Sequence, residues 1–375
     1  MNDSAPFSKT IGPDTRDSRG RLTFLDWTRG LAVATMLQGH VFHSFSRNDL
    51  RTDGPYIMSQ FFGGVGPAVF LVLTGITLAF LMDRGSRQEL PPRQRYFAAL
   101  RRAGYLFTLA FLFRLQLWAF AAGQSPWTDL LKVDVLNCMG FSIAIMSAMA
   151  LFTTAERVRL CAVLGVVIAA ASPIISAVNW TWLPPEVYNY FVPNLNYFAF
   201  FPWAAFIAFG ISIGSLFRLT KAEELSRVMQ WVCLGGFGLL LGGNYLSSLP
   251  YSIYPKSDFW LNSPLLILMK LGAVLIVMAF AFVWNEYGVK GSWSWIRQLG
   301  TTSLLVYWVH VELVYGRWFG PWKESLTTPY VVVAAAMLIL AMLGLSILRT
   351  RWGKMNWSAW LAPGWSTAPR SASGD

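Results

Sequence analysis

Two apolar runs, at residues 25–45 and 61–80, constrain the fold more than any other part of the chain. They read LDWTRGLAVATMLQGHVFHSF and FFGGVGPAVFLVLTGITLAF, and a short polar connection joins them. A helix needs about 20 apolar residues to cross the hydrocarbon core of a bilayer. Similar runs recur along most of the chain, and a segment in lipid must satisfy its own backbone hydrogen bonds. The pattern therefore predicts an all-α, polytopic membrane protein.

The composition agrees with this fold class. Hydrophobic residues make up 55% of the chain and charged residues 13%, which is about half the charged fraction of a soluble protein. We expect a bundle of about ten transmembrane helices over residues 23–349, between a disordered tail at 1–22 and a polar tail at 350–375. The predicted helices lie near 23–43, 61–82, 97–121, 134–153, 159–178, 196–217, 229–248, 264–287, 299–319 and 330–349.

The positive charge indicates how the helices are oriented. Most of the 30 Lys and Arg residues fall on one side, in the N-terminal tail, the connection at 84–95, the later connections on that side and the C-terminal tail. Cytoplasmic loops carry such an excess, so we expect both termini in the cytoplasm and an even number of spans. The same bias accounts for the net charge of +11 without nucleic acid as a partner.

Metal and nucleotide-binding patterns are missing from the sequence. Cys138, Cys161 and Cys233 lie in apolar stretches without paired spacing, so we interpret them as packing residues. No Walker, dinucleotide or nucleophile-elbow motif occurs, and no metal site is expected. The glycines around Pro67 predict a close helix contact or an interrupted helix.

The three histidines are the first candidates for chemistry. His40 falls in the outer half of the first helix, and His43 lies three residues later on nearly the same face. His310 lies near mid-membrane in the ninth predicted helix. Imidazole titrates near neutral pH, so each is a candidate general base or proton relay. A hydrogen-bonded packing role is the alternative for each.

Six further residues carry charged or amide side chains in or beside the membrane. Asp26 and Arg29 are three residues apart and predict a local ion pair. Arg114 lies deeper and requires an anion, from the protein or from a substrate. Asp134 and Asn137 open the fourth predicted helix, where Asp is a good N-terminal cap. Glu312 does not share a helix face with His310, and we expect it to have a separate cationic or protonated partner.

Two polar regions suggest ligands on opposite sides of the membrane. The basic stretch that includes Arg93, Arg95, Arg101 and Arg102 follows the positive-inside bias or holds a polyphosphate such as coenzyme A. The outward connections near 179–196 and 247–264 are rich in Trp, Tyr, Pro and Asn. They form interfacial aromatic belts or stack on sugar rings, and the sequence leaves both alternatives open.

Several motifs resemble one known family, the bacterial relatives of heparan-α-glucosaminide N-acetyltransferase in the transmembrane acyltransferase superfamily. They are Arg21-Leu22-x-x-Leu25-Asp26-x-x-Arg29-Gly30, Gly39-His40 with His43, Gly66-Pro67-Ala68-Val69-Phe70-Leu71-x-x-x-Gly75, Asp134-Val135-Leu136-Asn137-Cys138-Met139-Gly140, and Leu299-Gly300-x-x-Ser303-Leu304-x-x-Tyr307-x-x-His310. Singly each motif is weak, but together they span about residues 21–315.

The resemblance implies an integral membrane acyltransferase of a bacterial inner membrane. It would move an acyl group, an acetyl group by expectation, from cytoplasmic acyl-CoA to a sugar or glycan acceptor reached from the other side. His40 would act as the base or transient acyl carrier, with His43 or His310 assisting. Arg114 would hold the thioester oxygen or a phosphate, and the basic stretch, with Arg29, would hold coenzyme A.

The alternative is a secondary transporter or proton-coupled permease. In that case Asp26, Arg29, Arg114, His310 and Glu312 would form a relay across the membrane. We see no internal repeat that would favour a transporter. A transferase requires a cavity that reaches His40.

Overall fold

The computed structural model describes residues 22–121, 123–289 and 292–352. Within these ranges the chain is helical, and its only β-type pairings are two isolated bridges. The helices are α1 (Thr23–Phe45), α2 (Gly54–Gly63), α3 (Gly66–Arg87), α4 (Pro92–Phe120), α5 (Val135–Met146), α6 (Thr154–Ala177), α7 (Pro185–Tyr188), α8 (Phe200–Leu219), α9 (Leu225–Ser247), α10 (Pro264–Val283), α11 (Trp295–Thr301), α12 (Ser303–Tyr315) and α13 (Thr328–Trp352).

The predicted fold class is confirmed. Among the described residues, seven helical segments are long and apolar enough to cross a membrane, and two shorter apolar helices occur at Val135–Leu151 and Ser303–Tyr315. Together with α1, they place a helix at each of the ten predicted spans. The predicted tails at 1–22 and 350–375 lie almost wholly outside the described residues. The orientation of the bundle stays a prediction.

Three helix boundaries differ from the sequence prediction. The polar connection after His43 contains a separate helix, α2. This helix ends at Gly63 and α3 begins at Gly66, because Pro67 suits the first turn of a new helix. Helix α4 begins at Pro92, so most of the basic stretch is helical. The ninth predicted span is two helices, α11 and α12, which meet at Thr302.

Helix α1 lies at the centre of one half of the bundle and contacts α2, α3 and α10–α13. Its tightest contact is with α11, where Gly30 faces Gly300. A Cβ atom on Gly30 would lie 1.8 Å from the Ile296 carbonyl oxygen, and one on Gly300 would lie 1.9 Å from the Asp26 oxygen. Small residues let helix backbones approach this closely. The contact brings together the first and the last of the sequence motifs.

The C-terminal end of α1 is hydrogen-bonded to the connection that follows α12. The backbone amide of Glu324 donates to Ser44, that of Leu326 donates to Phe45, and that of Arg47 donates to Leu326. A second pair of helices, α3 and α8, packs through Gly75, whose Cβ would lie 2.2 Å from the Ile207 oxygen. These contacts fix α1 between the helices that carry the remaining candidate site residues.

Candidate functional site

His40 and His310, which are 270 residues apart, meet inside the bundle. Nδ1 of His40 and Nε2 of His310 are 2.9 Å apart, and the two ring planes, 20° apart, have their centroids 5.1 Å apart. His310 is completely buried. Helix α1 supplies one ring and helix α12 the other, so the α1–α11 contact and the turn at Thr302 position the pair.

The partners of the two rings determine where their protons lie. His310 Nδ1 is 2.8 Å from the Val306 carbonyl oxygen, which can only accept a hydrogen bond. His310 Nδ1 therefore carries the proton, and Nε2 of the neutral ring accepts from His40 Nδ1. This arrangement leaves Nε2 of His40 as the nitrogen with a lone pair. His310 thus holds His40 in the tautomer that a general base needs.

Two tyrosines enclose the histidine pair. Tyr315 presents its edge to His40 at 5.3 Å between centroids, and its hydroxyl lies 3.3 Å from His43 Nδ1. Tyr307 presents its edge to His310 at 5.7 Å. The sequence analysis assigned neither residue a role, although Tyr307 belongs to the last of the family-like motifs and lies three residues before His310, on the same face of the helix.

A cavity of about 620 Å³ reaches His40. This volume is within the range of small-molecule sites. Arg29 and Arg102 line it towards the end predicted to be cytoplasmic, and His40 and Gly63 line it towards the end predicted to be outer. Its remaining walls are mainly apolar, from α1, α3, α4, α5, α12 and Phe198. One continuous space therefore joins two cations to the His40 side chain.

A family model described as heparan-alpha-glucosaminide N-acetyltransferase, catalytic, matches residues 21–250, more than half of the chain. The chain belongs to this N-acetyltransferase family. It is an integral membrane acyltransferase. A search of curated proteins found no match. The family match covers His40 and His43 and ends before His310, so the histidine pair joins a matched residue to one beyond the match.

The arginines predicted to hold the donor of this N-acetyltransferase occupy different environments. Arg29 pairs with Asp26 at 3.2 Å, as its spacing predicted, and it also lines the cavity. Arg102 lies over the Tyr105 ring, 5.3 Å from its centroid, and lines the cavity as well.

The other arginines of the basic stretch lie outside the residues that line this cavity. Arg93 stacks over Phe97, and Arg95 donates to the Ser86 hydroxyl at 2.5 Å. Arg101 is exposed. A role for these three in binding coenzyme A stays a prediction.

Arg114 faces an anion from the protein. Its Nε lies 3.2 Å from Oδ2 of Asp134. The Oδ1 atom of Asp134 accepts from the backbone amides of Leu136 and Asn137, which confirms the predicted cap at the start of α5. Arg114 does not line the cavity at His40, and its predicted role at the thioester stays a prediction.

Glu312 and His310 have different partners, as expected from their spacing. Glu312 is buried, and its Oε1 accepts from the indole N–H of Trp318 at 3.0 Å. The ammonium of Lys323 acts on it electrostatically from the following connection. Among the described residues, no group of three or more His, Cys, Asp or Glu side chains could hold a metal ion.

Sequence reasoning missed one buried ionic cluster at the opposite end of the bundle. Oδ2 of Asp83 accepts from Arg87 at 2.9 Å and from Arg218 at 2.7 Å, and Oδ1 accepts from the Thr154 hydroxyl. Arg157 is completely buried and donates to the same hydroxyl. Spacing gives no signal for contacts among α3, α6 and α8, and these cations looked like ordinary cytoplasmic charges. The cluster links these three helices by hydrogen bonds and ion pairs, and it lies apart from the histidine pair.

Proposed function

We propose that this N-acetyltransferase moves an acetyl group from cytoplasmic acetyl-CoA to an amino or hydroxyl group of a carbohydrate acceptor on the outer side of the membrane. The observation that carries the proposal is a cavity lined by Arg29, Arg102 and His40, whose Nδ1 is engaged by His310. The guanidinium groups suit the phosphates of the donor. The apolar walls suit the uncharged arm that carries the thioester.

His40 acts as the general base in this proposal. The acceptor nitrogen or oxygen attacks the thioester carbonyl carbon while His40 Nε2 takes its proton. The carbon–sulfur bond then breaks, and the imidazolium returns the proton to the leaving sulfur. His310 supports this cycle, because its Nε2 accepts from His40 Nδ1 in both charge states and the bond strengthens when His40 is cationic.

The arrangement of the charged groups does not favour the transporter alternative. Each group that a proton relay would need has a local contact instead: Asp26 with Arg29, Arg114 with Asp134, His310 with His40, and Glu312 with Trp318. The cavity reaches His40, as a transferase requires.

The test uses purified full-length wild type and His40→Ala. Acetyl-CoA binding is measured first, and acetyl transfer to glucosamine is measured next. Binding by both proteins with transfer only by wild type would support the proposal. His43→Ala is the comparison, because His43 contacts Tyr315 and does not line the cavity, and a smaller loss is expected. Folded wild-type protein that binds no acyl-CoA would favour a transporter.

The kinetic pattern separates a base from an acyl carrier. Direct transfer predicts that coenzyme A is released only when acceptor is present. A burst of coenzyme A without acceptor, with an acetyl group retained on the protein, would assign His40 the covalent role.

A further inference from the structure

Four arginines gather around one carboxylate at the end of the bundle predicted to be cytoplasmic. Arg87 and Arg218 pair with Asp83 at 2.9 and 2.7 Å. Arg157 donates to the same hydroxyl group that donates to Asp83, and Arg95 is close enough to Arg157 for the two cations to repel each other. Among the described residues, Asp83 is the only ion-pair partner of these four guanidinium groups. The cluster therefore carries more positive than negative charge.

Two of these arginines occupy places where a positive charge is unfavourable. Arg95 is the fourth residue of α4, and Arg157 is the fourth residue of α6. The N-terminus of a helix carries a partial positive charge, so it favours an anion and disfavours a cation. Glu156 precedes Arg157, but its carboxylate accepts from the backbone amide and the hydroxyl of Thr153. Two cations and two helix N-termini thus meet with too few anions from the described part of the chain.

The hydrogen-bonding capacity of the same two arginines is only partly used. Arg157 is completely buried and donates to the Phe152 carbonyl oxygen and the Thr154 hydroxyl, while its Nε has no partner. Arg95 donates through Nη1 to the Ser86 hydroxyl, and its buried Nε also has no partner. A buried cation that is neither paired nor fully hydrogen-bonded destabilises a fold, so its presence requires an explanation.

One side of the cluster is open to the surface. The Arg87 side chain retains 61% of its exposure and the Arg218 side chain 28%, and Arg95 is partly exposed. Both Arg87 and Arg218 contact Asp83 through Nε. Within the described residues the terminal nitrogens of Arg218 make no hydrogen bond, and those of Arg87 make one weak contact, at 3.5 Å. Accessible guanidinium donors therefore remain beside the excess charge.

We propose that Arg87, Arg95 and Arg218 bind a phosphate group at this surface, with the buried Arg157 contributing positive charge from beneath. A guanidinium group donates two parallel hydrogen bonds to phosphate oxygens, which makes arginine the preferred partner of a phosphate. The bound phosphate would also face the N-termini of α4 and α6, where an anion is stabilised.

The phosphate group has two possible sources with the same chemistry, a phospholipid headgroup and free phosphate. The cytoplasmic leaflet is anionic, and the apolar side chains of Leu219 and Phe97 are exposed near the cluster, next to Arg218 and on α4. None of the four arginines lines the cavity at His40, so this site is separate from the proposed reaction. Arg95, which the sequence predicted to help hold coenzyme A, would belong to this second site instead.

The test measures the thermal midpoint of the full-length protein in two settings. Protein in nonionic detergent, shown by phosphorus analysis to be free of phospholipid, is titrated with inorganic phosphate against sodium chloride of equal ionic strength. Protein in nanodiscs of phosphatidylcholine is compared with protein in nanodiscs that also contain phosphatidylglycerol. A ligand that binds only the folded state raises the midpoint. A rise with phosphatidylglycerol alone assigns the site to a lipid, a rise with phosphate alone assigns it to the free anion, and no rise in either setting overturns the proposal.

Arg95→Gln separates an anion site from a purely structural cluster. Without added anion the variant should unfold at the wild-type temperature or above it, because one of two mutually repelling cations is removed. Its apparent Kd for the anion that stabilises wild type should rise at least about tenfold. An unchanged Kd in the folded variant would contradict the site. Arg87→Gln, which leaves the Arg218–Asp83 pair in place, should weaken the same anion to a similar extent and serves if Arg95→Gln is unstable.

Arg93→Gln is the matched control, because Arg93 lies on the same turn of α4 but stacks over Phe97 outside the cluster. It should keep the wild-type response to the anion, and an equal loss in both variants would mean that the response reflects only general basic charge. The Kd for acetyl-CoA should stay within twofold of wild type in Arg95→Gln. A parallel loss of acetyl-CoA binding would place the cluster in the donor site and overturn a separate phosphate site.

Discussion

Replacing His310 with Phe separates the positioning of His40 from its chemistry. Phe preserves an aromatic ring beside His40 and removes the nitrogen, 2.9 Å away, that accepts from His40 Nδ1. That N–H group is then left without its partner in a largely buried place, and the proton is free to move to Nε2. The nitrogen that should act as a base would then carry a proton for part of the time.

The size of the effect follows from one hydrogen bond. An unsatisfied buried donor costs about 1–3 kcal/mol, which corresponds to about a 5- to 150-fold loss in kcat. Removing the base itself should cost more, because general base catalysis contributes about 10²–10⁴-fold. We therefore expect His310→Phe to lie between wild type and His40→Ala in kcat, with the KM for acetyl-CoA within twofold of wild type.

The assay is acetyl transfer to glucosamine by detergent-purified protein at saturating acetyl-CoA. His310→Gln is the matched variant, because its side-chain carbonyl can accept from His40 Nδ1 and should restore part of the rate. A folded His310→Phe protein with the wild-type rate would refute the argument that His310 fixes the tautomer. The same conclusion would follow if the Gln and Phe variants lost equal activity.

Three stability predictions follow from contacts elsewhere in the bundle, each measured by thermal unfolding in detergent. Gly30→Ala should destabilise the protein by at least the roughly 1–3 kcal/mol typical of overpacking, because its Cβ would overlap the Ile296 carbonyl. Gly344→Ala is the control and should be neutral, since its Cβ would have no atom within 4 Å. Equal effects of the two variants would contradict the close contact. Asp83→Asn should cost about 1–3 kcal/mol, because the buried group loses its charge-assisted hydrogen bonds to Arg218 and Arg87. An unchanged midpoint would mean that the pairs contribute nothing. The free energy of unfolding of Glu312→Gln should stay within about 1 kcal/mol of wild type, since the amide oxygen still accepts from Trp318. The change also removes a buried charge whose Oε2 accepts no hydrogen bond, and a large loss of stability would show that the charge itself is required.

The sequence was sufficient to predict the fold class, because hydrophobic runs of bilayer length leave few alternatives. It also predicted contacts that are local in the chain. The Asp26–Arg29 pair and the Asp134 cap lie within one turn of a helix, where spacing determines which side chains can meet.

The sequence did not predict contacts between distant helices. His40 and His310 were both candidates, but nothing in their spacing indicated that the two rings would touch. The same holds for Arg114, whose need for an anion was predicted, whereas its partner Asp134 was found only in the structure. Asp83, Arg157 and Arg218 were overlooked for this reason too, since their roles depend on how three helices pack.

At Gly30 and Gly300 the backbones of α1 and α11 approach as closely as two helices can. Helix α11 is followed through Thr302 by α12, so the two histidines lie on closely packed, consecutive elements. A transporter that opens alternately to the two sides of the membrane would have to move one group of helices relative to another around its binding site. In the proposed reaction the histidine pair would stay in place, and donor and acceptor would reach it from opposite sides. Only the acetyl group would then cross the membrane, while donor and acceptor each return to the side from which they came.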